Sequence, residues 1–226
     1  ESRRLTHFED ILHHASGILA ISPNDKSYLE KRYKNVHYIP AFHPNHSVES
    51  STGRGEYILY HGNLEVGEND EAAIYLLQEV FSKLSLPCII AGNNPSVRVR
   101  QLSKKYAHVS LIEHTQTDFI HDLIRKAQIN VLPTFQSTGI KLKLLNALFL
   151  GRHCVVNHEM VANTGLDSLC HEASNASAMA EALVTLFEMP FTEADVEKRK
   201  AFFATRFNNR ETALSLLQLI EPTHQS

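Results

Sequence analysis

The chain has 226 residues, a formal net charge of -3 and a sequence pI near 6.6. That length buries a core for one domain or one and a half, and the near-neutral charge excludes the basic footprint of a nucleic-acid binder. No apolar run approaches the ~20 residues that cross a bilayer, and the opening Glu1-Ser2-Arg3-Arg4 begins a charged amphipathic stretch unlike a signal peptide.

In chain order, Ile18-Leu19-Ala20-Ile21 is a short apolar run leading into Ser22-Pro23-Asn24-Asp25. There Ser22 suits a helix cap and Pro23 the first helical position. Val36-His37-Tyr38-Ile39 reads as a strand stopped by Pro40. Residues 43–55 are rich in Pro, Ser, Asn and Gly, a loop composition that divides residues 1–45 from 46–226.

Tyr57 to Gly62 is the next strand, and Asn69 opens a helix with Ala73, Leu76, Leu77, Val80, Phe81 and Leu84 on one face. Strands follow at Pro87 to Gly92, Val109 to Ile112, Ile129 to Pro133 and Cys154 to Val156. Helices are predicted over Asp118 to Lys126 and from about Ile140 to Leu150. The remainder is a helical tail: Ser177 to Phe187, Thr192 to about Thr205, with Thr192 and Asp195 as a capping-box-like pair, and Arg210 to Ile220. Continuous apolar strands alternating with helices predict a doubly wound, Rossmann-like α/β fold whose parallel sheet is covered on both faces. In such sheets ligands bind beyond the carboxyl ends of the strands.

Cys88, Cys154 and Cys170 lie in apolar runs at spacings that fit neither a disulfide framework nor a zinc site, so buried reduced thiols are expected. The fourteen histidines are scattered, and neither His13-His14 nor the His43/His46 pair matches a strong metal pattern, so no metal is expected. No G-x-G-x-x-G follows a strand and no G-x-x-x-x-G-K-[ST] occurs, so neither a dinucleotide cofactor nor a phosphate-binding loop of that kind is expected. No G-x-S-x-G is present, which removes an α/β-hydrolase.

Three strand ends carry the remaining information. His61-Gly62-Asn63 is either an ordinary turn or a place where glycine lets the backbone approach a ligand. Gly92-Asn93-Asn94-Pro95 is open to the same two readings. The third, Pro133-Thr134-Phe135-Gln136-Ser137-Thr138-Gly139-Ile140-Lys141-Leu142-Lys143, runs a hydroxyl-rich loop into a helix. Free N–H groups and the positive dipole end favour an anion there, and two lysines in the first turns are out of place unless an anion compensates them.

At this loop the chain resembles the family 4-like glycosyltransferases of the GT-B fold, specifically their C-terminal domain. Gly139 to Leu148, followed by Gly151-Arg152-His153-Cys154-Val155-Val156, is similar to that family's G-x-K-x-K-x-L-E-A-x-x-x-G-x-P-V-V segment. Tyr60 to Leu64 resembles its first glycine turn, Ile90-Ala91-Gly92 its second, and Ala127 to Pro133 its A-x-x-x-v-x-P strand.

The resemblance implies that residues 46–226 bind a nucleoside-diphosphate sugar for transfer to a saccharide or lipid-linked acceptor. Transfer would be retaining and metal-independent, with no cofactor beyond the donor. Residues 1–45 are then the remnant of an acceptor domain and the crossover, so the chain is expected to be part of a longer cytoplasmic enzyme, with a place at the inner membrane surface compatible with a lipid-linked acceptor. Carried over by position, Gly62 and Asn63 approach the diphosphate by backbone N–H. Gly92, Asn93, His114 and Thr115 border the base. Gln136, Ser137, Thr138, Gly139, Ile140, Lys141 and Lys143 surround the pyrophosphate and sugar, with Lys141 and Thr138 closest to the chemistry. Asn146 reaches the ribose.

Two departures stand out. The family's pair of glutamates across this loop and helix is replaced by Thr138 and Asn146, and the basic residue after the first glycine turn is absent from Asn63-Leu64-Glu65-Val66. A binding module without transfer activity is therefore the main alternative. A sugar-nucleotide epimerase of the same fold and a purely structural domain are the others.

Overall fold

The computed structural model describes residues 9–113, 116–136 and 141–220. Contacts divide them into two units, one of residues 9–43 and 205–220, the other of residues 44–113, 116–136 and 141–204.

In the smaller unit β1 (Ile18–Ala20) and β2 (Val36–Tyr38) pair in parallel. Between them α1 (Pro23–Leu29) starts as its sequence predicts, the Ser22 hydroxyl accepting the Asp25 N–H at 3.0 Å with Pro23 in the first turn. Ile18, Ala20, Tyr33 and Val36 are buried together, with Leu12 and Leu29 packed against them. The last helix, Asn209–Ile220, belongs to this unit although it follows the larger one in sequence. The Asn209 side chain fastens its start to His43, donating to the His43 carbonyl at 2.6 Å and accepting the His43 N–H at 3.3 Å.

The larger unit alternates strand and helix. In order come β3 (Ile58–His61), α2 (Gly67–Tyr75), β4 (Cys88–Ala91), α3 (Val97–Ser103), β5 (Val109–Ile112), α4 (Thr117–Lys126), β6 (Ile129–Leu132), α5 (Leu142–Leu150), β7 (His153–Val156), α6 (His158–Val161) and β8 (His171–Glu172). Helices α7 (Ala176–Glu188) and α8 (Glu193–Thr205) follow. All six strands are parallel, in the order β5-β4-β3-β6-β7-β8. This is the predicted doubly wound sheet. Strands β3, β6 and β7 are buried at every position, which is why they read as largely apolar runs, and their polar members His61, Asn130 and His153 are buried as well.

The chain winds outward from β3 to β5, then returns to lay β6 on the other side of β3. That reversal is the topological switch point. There β3 and β6 pair only at Ile58↔Ile129 and Leu59↔Asn130, whereas β3–β4 and β6–β7 each pair along four residues. The two central strands therefore part toward their carboxyl ends and leave a crevice.

The helix expected from Asn69 begins at Gly67 and is not regular: α2 passes into a π turn over Leu76–Val80 and a 3-10 turn over Phe81–Lys83. Leu76, Leu77, Val80 and Phe81, which the helical spacing sets on one face, all lie in the core with no exposure. Helix α3 was not expected, because Val97-Arg98-Val99-Arg100 alternates like a half-buried strand. The Ser96 hydroxyl caps it by accepting the Val99 N–H, and burial of Val99 and Leu102 decides for the helix. Helix α6 and strand β8 were also unforeseen. The Thr192–Asp195 pair forms as expected, the carboxylate accepting the Thr192 N–H at 2.9 Å and hydroxyl at 2.6 Å while the Asp195 N–H reaches Thr192 Oγ1 at 3.3 Å. No helix among the described residues is long and apolar enough to cross a membrane.

Candidate functional site

The carboxyl ends of β3 and β4 are held together by two glycines. A side chain at Gly92 would place its Cβ 1.9 Å from the Gly62 carbonyl oxygen, so only glycine lets the two turns close. Their N–H groups are engaged in the sheet: Gly62 donates to the Ala91 carbonyl at 3.1 Å and Gly92 to that of Ile112 at 3.0 Å. In this structure the Gly62 N–H is therefore occupied by the Ala91 carbonyl.

Beyond these turns lies a cavity of about 240 Å³ bounded by His61, Gly62, Asn63, Asn93 and Asn146 and by the first turns of α4, including Thr117 and His121. Among the described residues its lining has no carboxylate, lysine or arginine. Amides, imidazoles and a hydroxyl suit an uncharged, hydroxyl-rich group such as a sugar or nucleoside. His61 is 3% exposed, and its Nε2 has no hydrogen-bond partner among the described residues. Burial, with the charges of Lys143 and His121, pushes its imidazole down to about 3, so it stays neutral at physiological pH. The Asn146 Oδ1 accepts a bond of 2.9 Å from Asn45, which orients the amide.

On the other side of the β3 end the two lysines gather with an acid. Lys141 Nζ lies 3.3 Å from Glu68 Oε1, and the Thr134 hydroxyl donates to the same oxygen. Thr134 is in turn fixed by Asn157, which accepts its N–H at 3.0 Å and donates to its carbonyl. Lys143 donates to Asn69 Oδ1 at 2.8 Å, with its Nζ 5.5 Å from the Tyr60 ring centroid. Burial opposes ionisation of Glu68, yet the Thr134 hydrogen bond and the two lysines outweigh it and hold the carboxyl below its usual range. Burial lowers Lys143 to about 8, against the pull of Glu68 and with the push of Lys141. The lysine pair at the start of α5 is thus compensated from within the chain, by the first turn of α2. The cluster adjoins the cavity, because Asn69 also donates to the Asn63 carbonyl at 2.9 Å.

Of the residues predicted from sequence, Gly62, Asn63, Asn93 and Asn146 meet at the cavity, and Lys141 and Lys143 meet at the cluster beside it. Gly92 packs under the turn, and Gln136 is exposed with its N–H 3.4 Å from Thr134 Oγ1. His114, Thr115, Ser137, Thr138, Gly139 and Ile140 lie outside the described residues. Sequence reasoning missed His121 and Glu68, and it met His61 only as part of the strand end His61-Gly62-Asn63, with no role of its own. Glu68 looked like an ordinary acid in a helix first turn, and nothing local in the sequence pointed it at Lys141. Among the described residues, no group of three or more His, Cys, Asp or Glu side chains is placed to hold a metal ion.

A family model described as Glycosyl transferases group 1 matches residues 55–189, more than half of the chain. The chain belongs to the group 1 glycosyl transferases. No curated protein sequence matches it. Among solved structures it is similar to TarM, at 12% identity and a TM-score of 0.75 over 97% of this chain and 46% of that one. It is similar to sucrose-phosphate synthase (tll1590) from Thermosynechococcus elongatus, at 16% identity and 0.75 over 97% and 61%. A glycosyltransferase from Rickettsia africae ESF-5 matches at 12% identity and 0.71 over 100% and 68%. At these identities the likeness is one of fold, the Rossmann-like half of GT-B. The chain spans about half to two thirds of those proteins, and its family match runs from before β3 to the end of α7, enclosing both the cavity and the lysine cluster.

Proposed function

We propose that this group 1 glycosyl transferase domain binds a nucleoside-diphosphate sugar at the β3/β6 switch point. There it serves as the donor half of an enzyme that transfers the sugar to an acceptor. The observation that carries this reading is the adjacency of an uncharged, amide-lined cavity and a lysine pair at a helix start. One matches the nucleoside or sugar of such a donor, the other its diphosphate.

In this reading Asn63, Asn93 and Asn146 hydrogen-bond hydroxyl and base edges, and Lys141 and Lys143 face the diphosphate. The leaving diphosphate gains negative charge as the glycosidic bond breaks, and preorganised cations and helix N–H groups stabilise it most at that moment. No metal is invoked, and transfer proceeds with retention. The acceptor, a saccharide or a lipid-linked sugar, is held by a further domain of a longer protein, in the cytoplasm or at the inner membrane face.

A second reading, binding without transfer, is favoured by the amide at Asn146 and by the carboxylate already seated on Lys141. A thermal-shift panel with UDP, GDP, ADP, CDP and their sugars, against NAD and ATP, tests the shared claim. A ligand at about a hundred times its dissociation constant stabilises by roughly 2.7 kcal/mol, a rise of about 5–10 °C at this size. A shift with one nucleoside diphosphate and its sugar supports donor binding and names the base; no shift with any of them removes both readings. Release of the free nucleoside diphosphate from the bound sugar nucleotide then separates transfer from mere binding.

A further inference from the structure

A second cavity, of about 120 Å³, lies in the larger unit where β7 and β8 begin, at the amino ends of the strands and so away from the candidate site. Its lining includes both Cys154 and Cys170. Cys154 is fully buried and Cys170 half-buried, and neither is bonded to another cysteine.

The register of the sheet places these two thiols side by side. Val155 pairs with His171 and Val156 with Glu172, so one step back sets Cys154 opposite Cys170. Cys170 continues the strand backbone, with φ -123° and ψ 162°. Neighbouring strands are about 4.8 Å apart, inside the range of roughly 4.4–6.8 Å between Cα atoms that a disulfide spans. Residues opposite one another in register project to the same face, so the two side chains leave β7 and the start of β8 on one side of the sheet, where both line the cavity.

We propose that Cys154 and Cys170 are a disulfide-forming pair, oxidised by a low-molecular-weight disulfide such as oxidised glutathione. Cys170, the half-buried thiol, loses its proton to solvent and attacks one sulfur of the oxidant, breaking its S–S bond and releasing one glutathione thiolate. The Cys154 thiol then gives up its proton and attacks the Cys170 sulfur of the mixed disulfide, expelling the second glutathione. Two protein thiols are oxidised and one glutathione disulfide is reduced to two thiols.

The environment slows the reaction. The hydrogen bond to Cys154, then burial, keeps the Cys170 thiol well above its usual range. Few thiolates are therefore present to attack at neutral pH. The bond would tie edge strand β8 to β7 and close the segment between them, a constraint that acts mainly on the unfolded chain.

The purified chain is equilibrated in glutathione buffers from reducing to oxidising, acid-quenched, alkylated under denaturing conditions and mapped by mass. The expected result at the oxidising end is loss of two hydrogens, a linked Cys154–Cys170 peptide and alkylation at Cys88 alone. Cys88 sits in β4 with its thiol pushed by burial up to about 12, and it serves as the internal control. The oxidised protein should melt about 5–10 °C higher than the reduced one, and Cys154→Ser should instead retain glutathione on Cys170. Alkylation of both Cys154 and Cys170 at the most oxidising ratio would overturn the proposal, as would glutathione left on Cys170 of the native sequence. These outcomes do not depend on whether the domain binds a nucleotide.

Discussion

Glu68 Oε1 and Lys141 Nζ meet at 3.3 Å, with the two side chains only 17% and 12% exposed, and they join the first turn of α2 to the start of α5. A lysine at a helix start is disfavoured by the dipole of that helix, and an anion there offsets it. In this protein the anion belongs to the chain. A ligand phosphate arriving at α5 meets a cation already paired, so affinity depends on both members of the pair.

Lys141→Ala should weaken binding of the nucleoside diphosphate by about 1–3 kcal/mol, the scale of one charge-assisted hydrogen bond. Glu68→Gln should strengthen it roughly tenfold, because like charges several ångströms apart at an effective dielectric of about 20–40 repel by 1–2 kcal/mol. Titration calorimetry on the three proteins measures both. Weaker binding by Glu68→Gln would mean that the carboxylate orients Lys141 for the ligand instead of competing with it.

Lys143, at about 8 in the folded protein, is mostly neutral at pH 9. A diphosphate beside it should restore its charge, so binding at pH 9 takes up close to one proton. Calorimetry in buffers of differing ionisation enthalpy reads this directly, and Lys143→Met should abolish it. The sign for stability follows from the same shift. Between about 8 and the ordinary 10.5 the unfolded chain holds the extra proton, so the free protein gains stability as pH rises through that window, on the order of 3 kcal/mol. The Met variant should lack this gain, and parallel urea midpoints for the two proteins from pH 8 to 10.5 would assign it elsewhere.

His61 sets the opposite edge of the pH range. Its imidazole, ordinarily near 6.5, is held at about 3 by burial and by Lys143 and His121. Unfolding releases it to take up a proton, so the stability it contributes is present above 6.5 and lost as pH falls toward 3, on the order of 5 kcal/mol in all. Urea unfolding at pH 7, 5 and 4 should show a steeper loss for the native sequence than for His61→Asn. Equal slopes would remove His61 as the responsible group.

The two glycines at the strand ends should differ sharply. Gly92→Ala drives a methyl group to 1.9 Å from a backbone oxygen that cannot rotate away. It should cost about 3 kcal/mol or more in stability. At Gly62 the nearest atom is the Asn69 side chain at 3.2 Å, which has room to yield. Gly62→Ala should cost no more than about 1.5 kcal/mol, yet disturb Lys143 through Asn69. Thermal melts of the two variants, run side by side, check the contrast.

Much of this was legible in the chain. Largely apolar runs at β3, β4, β6 and β7 suit strands covered on both faces, which sets the fold class. Ser22-Pro23 and Thr192-Asp195 mark their helix starts because capping is a contact between near neighbours. The glycines and lysines at strand and helix ends were visible for the same local reason. Helix α3 was not, because Val97-Arg98-Val99-Arg100 carries a period-two pattern and only burial of Leu102 beside Val99 breaks the tie.

What the sequence by itself determined is therefore the kind of sheet, and the chain positions where a ligand site can form. The tertiary structure alone decided which of those positions meet. It opened β3 from β6 after two pairs, set Gly62 against Gly92, turned Glu68 onto Lys141 and laid Cys154 beside Cys170. Each of these joins residues from separate elements. Local propensity and periodicity act over a few residues, whereas strand order and register bring together side chains that the chain itself holds far apart.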